Sequence, residues 1–431
     1  MSVNQRPTGK IWLLASAIIL TALTLRAAVT VVSPVLSNIG SDLVLSPMAI
    51  GVLGMLPTAA FGLFGFLTPF VIRGASLEKL IMASLAVGMV GQIARVFATT
   101  TPLFLIFSVV AFAGLGAGNV LLPPLVKKHF PTKVGLMTAV YVTAISVGTA
   151  LPAQLAVPVA DATNWQFSLS SWAALSAVAL VPWLVAAFSK DSGEKAAPAG
   201  ANGSGPAGLA GLNVPGLPLR PAPAPVPLKM NLWKSPTAWG LTLMFGCTSL
   251  NTYALFAWLP QILTEAGLSQ GEAGSMLALF GALGLPLSLG IPIIAAKMRN
   301  PFPAVVVTLS CFVAGYLGLL FSPADATWLW VSLTGLGPGT FPLALLLINQ
   351  RTRTQQGAGA LSGFGQGMGY ALACAGPLFF GMLHDQTGSW TLPFTFLFAS
   401  LVLLGTGAWI ICRPRMLEDD FPAPRLGDGT G

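Results

Sequence analysis

Arg26 is the residue whose type and position carry the most chemistry. It lies about fifteen residues, or roughly 22 Å at 1.5 Å per residue, inside the first long apolar run. An ionisable side chain at such a depth in lipid is costly and usually functional. A guanidinium there either faces a water-filled cavity, where it attracts an anion or a polarised solute, or satisfies helix-end carbonyls and neighbouring amides and holds helices together. A second cation, Arg95, stands near the end of the third run, within snorkelling distance of the interface, and reads as structural. Asn119, Asn251, Tyr253, Thr340, Gln366 and Tyr370 are the polar side chains within the runs that either hydrogen-bond a solute or tie helices together. Asn119 ranks first, because it sits in a glycine-rich stretch that recurs later in the chain.

What is missing narrows the chemistry further. No Asp or Glu lies in the interior of any apolar run, so no intramembrane carboxylate is available to load and unload a proton; a proton that moves would travel on the substrate. His129 falls in a loop and His384 near the end of a run. The runs offer no carboxylate pair, no histidine cluster and no nucleophile beside a base, which argues against an enzyme, and no GxxxxGK[ST] loop, which argues against an ATP-driven pump. Cys247, Cys311, Cys374 and Cys412 lack metal-type spacing. No cofactor and no metal are expected.

These residues need a lipid-embedded scaffold. Of 431 residues 54% are apolar and 8% charged, a composition that cannot make a water-soluble fold. Runs long enough to cross a hydrocarbon core about 30 Å thick recur along the chain. They place helices 1 to 12 near 11–36, 48–72, 77–97, 102–126, 134–160, 165–188, 236–262, 272–296, 302–321, 326–349, 357–383 and 390–412. Every Lys and Arg other than Arg26 and Arg95 falls in a segment on one side of this arrangement, and the opposite loops hold only acidic residues. Basic residues are retained in the cytoplasm, so both termini are expected there, in a multi-pass protein of the plasma membrane. The expected domains are an N-terminal six-helix bundle (1–188), a cytoplasmic linker rich in Gly, Pro and Ala (189–235), a C-terminal six-helix bundle (236–412) and a polar, disordered cytoplasmic tail (413–431).

The two halves repeat. "LSPMAIG" from Leu45 answers "LSQGEAG" from Leu268, an offset of 223, and Pro69 answers Pro292 at the same offset. "GLGAGN" from Gly114 answers "GLGPGT" from Gly335, and Trp165 answers Trp390 after similar short motifs. Repeats in one orientation, six helices apart, are related by an axis along the membrane normal. Gly114, Gly116, Gly118, Gly335, Gly337 and Gly339 read either as close-packing positions or, as a set, as positions that let the halves rock. At the offset of 223, Arg26 lands on Ser249, so one half alone supplies the charge.

Longer blocks carry a family resemblance. They are "LRAAVTVVSPVL" from Leu25, "GNVLLPPLVKKHFPTKVGLMTAVYVTA" from Gly118, "YALFAWLPQIL" from Tyr253 and "LSGFGQGMGYALACAGPLFFGMLHDQTGSW" from Leu361. Together they resemble the cyanate and 2-nitroimidazole permease family of the major facilitator superfamily. The resemblance implies an all-α membrane fold of twelve helices in two bundles, alternating access in a bacterial cytoplasmic membrane, and substrate-facing positions at Leu25–Arg26 and Gly118–Asn119. Pro338 and Thr248 stand where the family often has Gln. Of the superfamily's loop between helices 2 and 3, Arg73 and Gly74 survive, with no acidic partner before Glu78.

The expected function is transport of a small anionic or polar solute, cyanate-like or a nitroheterocycle, by a monomer that contacts lipid, with or without a co-transported or exchanged ion. Nucleic acid is not an expected partner. Efflux of nitroaromatic or amphipathic compounds is the alternative, and a transport-derived sensor a third.

Overall fold

Thirty-four prolines and forty-eight glycines would break helices in water, but in lipid the backbone has no other partner for its polar groups and stays helical. The computed structural model describes residues 8–71, 75–188 and 230–421. Helix 1 is Thr8–Thr30, continued by the 3₁₀ turn Ser33–Val35 and a short helix Leu36–Asp42. Helices 2 to 6 are Pro47–Val71, Leu77–Ala94 with the turn Arg95–Phe97, Thr101–His129, Val134–Ala162 and Trp165–Phe188. Helix 7 is Pro236–Glu265, helix 8 is Gln270–Ala282 plus Gly284–Ala296, and helix 9 is Phe302–Phe321. Helix 10 runs through Thr327–Leu336, Gly337–Gly339 and Thr340–Gln350, helix 11 is Gln355–Ala373 plus Ala375–Thr387, and helix 12 is Thr391–Cys412. Arg73 and nearly all of the linker lie outside the described residues.

The breaks have a chemical cause. Pro286 and Pro377 lack the N–H that would bond the carbonyl four residues back, and the first segments of helices 8 and 11 end there, at Ala282 and Ala373. Helix 10 tightens to a 3₁₀ turn around Pro338. Ten of the helical spans among the described residues are long and apolar enough to cross a membrane by composition alone. Helices 7 and 11 are the two left out, and they carry Thr248, Asn251, Ser362 and Gln366. Thr248 and Asn251 are spent on hydrogen bonds within the C-terminal bundle.

The duplication is visible as a repeated hydrogen bond. The Trp165 indole at the start of helix 6 donates to the Asp42 carboxylate at 2.7 Å, and the Trp390 indole at the start of helix 12 donates to Glu265 at 2.8 Å. Asp42 and Glu265 are 223 positions apart, the repeat offset.

The halves meet unevenly. The buried apolar cluster of the C-terminal bundle takes in Phe61 and Ala153, with Val29, Ile50 and Ala150 packed against it, all at mid-depth or toward the face opposite the chain ends. The N-terminal cluster nearer the chain ends, including Leu14, Ile18, Leu125, Met137 and Trp183, has no member from the other half among the described residues. At the far face the seam is clasped. The Ser33 hydroxyl donates to the Phe256 carbonyl (2.7 Å), Gln154 donates to Ser275 (2.9 Å), and the Thr58 hydroxyl lies 3.3 Å from the Cys374 thiol. Among the described residues the halves are therefore joined at mid-depth and the far face, and parted at the face holding the chain ends.

Glycines make that closure possible, but not the expected ones. Cβ atoms added at Gly114, Gly116 and Gly118 would strike helices 3, 2 and 1 of the same half, and at Gly335, Gly337 and Gly339 helices 8 and 9 of the same half. These six pack each bundle internally. The seam uses Gly51 and Gly54 against helix 11, and Gly274 and Gly281 against helix 5. Gly51 and Gly274 are the last residues of the two matched blocks, so one duplicated glycine closes both sides of the seam.

The described part of the tail is docked, which corrects the expectation of disorder as far as Phe421. Arg351 donates to the Ile411 and Cys412 carbonyls that end helix 12 (2.9 and 2.8 Å), and Leu417 is fully buried. Glu418 accepts from the backbone N–H groups of Arg353 and Thr354 at the start of helix 11, and Asp420 accepts from Ser235 and the Thr237 N–H at the start of helix 7. The Arg353 guanidinium holds the Asp419 carboxyl below its ordinary range. Burial alone would raise Glu418, but the N–H groups it accepts from outweigh this and lower it. A carboxylate depressed in the folded state contributes stability above its ordinary range and loses it as pH falls. The tail is accordingly expected to stay docked at neutral pH and to release as pH drops below about 4.5, seen as faster hydrogen exchange at 416–420. Separately, Gly54→Val places new atoms where a Cβ alone would come within 2.7 Å of Ala257 and 2.8 Å of Pro377. The far face should then fail to seat, and Cys374 should react with maleimide several-fold faster than in the parent protein.

Candidate functional site

Arg26 lies in the seam at mid-depth, half-buried, where helices 1 and 2 face helices 7 and 11. Its guanidinium carbon sits 4.9 Å from the Phe61 ring centroid and 5.4 Å from that of Tyr253, so it touches an aromatic face from each half. Tyr370 adds a third ring, 5.5 Å from Phe61, with its hydroxyl in electrostatic reach of Arg26. Phe245 packs edge-on against Tyr370 at 5.0 Å, and Phe256 against Tyr253 at 5.9 Å.

Magnitudes decide what this cluster lacks. Cation–π contacts are worth about 0.5–2 kcal/mol each. An arginine at a bilayer centre costs about 2.5–3.5 kcal/mol by insertion measurements and several times that on an isolated helix. The rings therefore offset part of the cost. No acidic side chain pairs with Arg26 among the described residues. The Tyr253 ring beside it carries a hydroxyl that is buried with no hydrogen-bond partner. A fixed positive charge and an unused phenol, enclosed by flat rings, make a site for a solute that is negative or strongly polarised, accepts hydrogen bonds and presents a π face.

The remaining expected residues separate into those in the cluster and those outside it. Tyr253 and Tyr370 are in it. Gln366, one turn nearer the chain-end face on helix 11, is half-buried and donates to Ser362 on its own helix at 2.7 Å. Asn119 is half-buried and makes no hydrogen bond among the described residues. Asn251, expected to contact solute, is consumed inside the C-terminal bundle. It donates to the Ser400 hydroxyl and the Cys247 carbonyl (2.7 Å each) and accepts from the Tyr316 hydroxyl at 2.8 Å, tying helices 7, 9 and 12. Thr340 is likewise engaged, 2.6 Å from Thr248 across helices 7 and 10.

Arg95 does not snorkel. It is fully buried, and Nη1 donates 3.2 Å to the Ala28 carbonyl in the last turn of the helix that carries Arg26, while Nε and Nη2 have no partner. It is held from the interior of the N-terminal half, not at the membrane interface. Phe61 is the ring that composition could not single out among 25 phenylalanines; only its place opposite Arg26 distinguishes it. On the far side of the cluster the space narrows to a cavity of about 30 Å³ lined by Val29, Ser33, Gly54, Tyr253 and Phe256. That is room for little more than one water.

Twelve crossings in two like bundles, with a charged aromatic site on their seam, define a membrane carrier. The chain belongs to the Major Facilitator Superfamily, whose model matches residues 18–377. It is similar to an uncharacterized transporter, YycB, of Bacillus subtilis (31% identity, 96% of both chains). It is also similar to the 2-nitroimidazole transporter of Escherichia coli, at 32% identity over 88% of this chain and 90% of the relative. The cyanate transport protein CynX of the same organism matches at 25% identity over 88% and 92%. Among solved structures, a bacterial homolog of the human lysosomal transporter Spinster superposes with a TM-score of 0.69 at 16% identity, covering 98% of this chain and 100% of the other. The chain is thus a multi-pass membrane protein that transports a small solute and is not an enzyme.

Asn251→Ala should leave the Tyr316 and Ser400 hydroxyls without their partner and destabilise the C-terminal bundle by about 1–3 kcal/mol. In detergent its unfolding midpoint should fall with solute affinity unchanged; a loss of affinity at full stability would instead put Asn251 in the site.

Proposed function

We propose that the protein carries a small anion, cyanate-like or an ionised nitroheterocycle, through the plasma membrane by alternating access, with Arg26 as the group that holds it. The observation that carries this reading is the guanidinium at mid-depth, shared between the two halves through Phe61 and Tyr253 and lacking a carboxylate partner. A bound anion supplies the missing charge, and the Tyr253 hydroxyl, buried without a partner, donates to it. The relatives named for 2-nitroimidazole and cyanate transport support a small polar or anionic solute. Alternation of basic residues supports both termini in the cytoplasm. On that orientation the parted face opens inward and the far face is the closed outer gate. The within-half glycine contacts suit two bundles that move as units, joined by the linker, within a monomer.

The rings favour a second reading, efflux of neutral nitroaromatic compounds held by stacking instead of charge. Arg26→Gln separates the two. In proteoliposomes containing well-folded variant, uptake of labelled cyanate is expected to fall by about tenfold or more, the scale of one lost charge-assisted contact. Undiminished cyanate uptake would remove Arg26 from the site, and resistance to nitroaromatics that survives the substitution would favour the second reading.

A further inference from the structure

We infer that the carrier is an anion exchanger, reorienting readily only while an anion sits on Arg26, so that entry of one anion is tied to exit of another. This rests on Arg26 being the anion site. Between its two open states a carrier of this architecture passes through a form closed at both faces, in which the seam loses its water. Arg26 is the cation in that seam, and its rings come from both halves. When the seam closes without an anion, the guanidinium is desolvated with no opposite charge, and the closed form is strongly disfavoured. With an anion bound, the enclosed pair is neutral and the same form is accessible.

Among the described residues, nothing else at the seam can discharge Arg26. A guanidinium stays protonated throughout the biological pH range, so a proton cannot relieve it, and a metal cation would add to the charge. Tyr253 and Tyr370 would have to ionise, but phenols titrate near 10. The acidic side chains of the described spans lie at helix ends, at Asp42, Glu78, Asp161, Glu265, Glu272 and Asp385. The other two buried arginines behave differently. Arg95 is held by Ala28 within the N-terminal half, and Arg351 by Ile411 and Cys412 within the C-terminal half. Their surroundings travel with them, so their cost is the same in every state and does not oppose reorientation. The empty carrier is therefore stalled by Arg26 alone.

The test uses the full chain in proteoliposomes loaded with [¹⁴C]cyanate. Efflux into anion-poor buffer should be slow and should rise by about tenfold or more when unlabelled cyanate is added outside. The exchange should be insensitive to an imposed potassium diffusion potential, because one anion for one anion moves no net charge. Efflux at equal rates with and without external cyanate would overturn exchange while leaving anion transport intact. Absence of both cyanate binding and protein-dependent flux would instead overturn the assignment of the anion site.

Discussion

An unpaired positive charge in the middle of a membrane protein is the constraint around which the rest is arranged. The chain places Arg26 where water must be admitted to it or an anion delivered to it, and surrounds it with faces that attract a cation too weakly to satisfy it. The aromatic wall that helices 7 and 11 turn to the guanidinium, with Tyr253 and Tyr370, follows from the same need. So does the concentration of acidic residues at helix ends, where Asp42 and Glu265 hold indoles and Glu418 and Asp420 cap helix starts. A carboxylate near Arg26 would neutralise it and, on the proposed function, compete with the solute.

Packing in lipid has no hydrophobic drive between helices and relies on close contact. The glycines therefore divide by the kind of contact they permit. Those of helices 4 and 10 bring helices of one bundle together and give each half its rigidity. Those at 51, 54, 274 and 281 bring the two bundles together at one face, and their contacts are the ones that must open. Rigid halves and a releasable seam are complementary requirements, met by the same residue type at different places.

Much of this was legible in the sequence because lipid constrains it so tightly. Ten of the twelve crossings follow from apolar length, and the repeat from matched blocks whose register the duplicated Trp–carboxylate bonds share. The mid-depth place of Arg26 was readable from its position in the first apolar run. Asn251 was not, because its partners Tyr316 and Ser400 lie 65 and 149 residues away, and helix 7 is too uniformly buried for its pattern to show which side faces the seam. Gly51 and Gly274 were present in the matched blocks, but a glycine's value lies in what approaches it, and Leu378 and Ala153 are distant in sequence. The tail was misjudged because acidic residues in a short polar stretch look solvated, whereas Glu418 and Asp420 are helix caps supplied from far along the chain.

The hydrogen bond from Ser33 to the Phe256 carbonyl joins two positions separated by the repeat offset itself. Equivalent positions touch only on the pseudo-twofold axis, so helices 1 and 7 cross it there. On such an axis perfect symmetry is self-defeating: a donor would meet a donor, and a second guanidinium at Ser249 would bring like charges toward the same line. Divergence between the duplicated halves is thus a geometric requirement for a central site. The ancestral doubling could acquire a charge-bearing centre only by ceasing to be a true double.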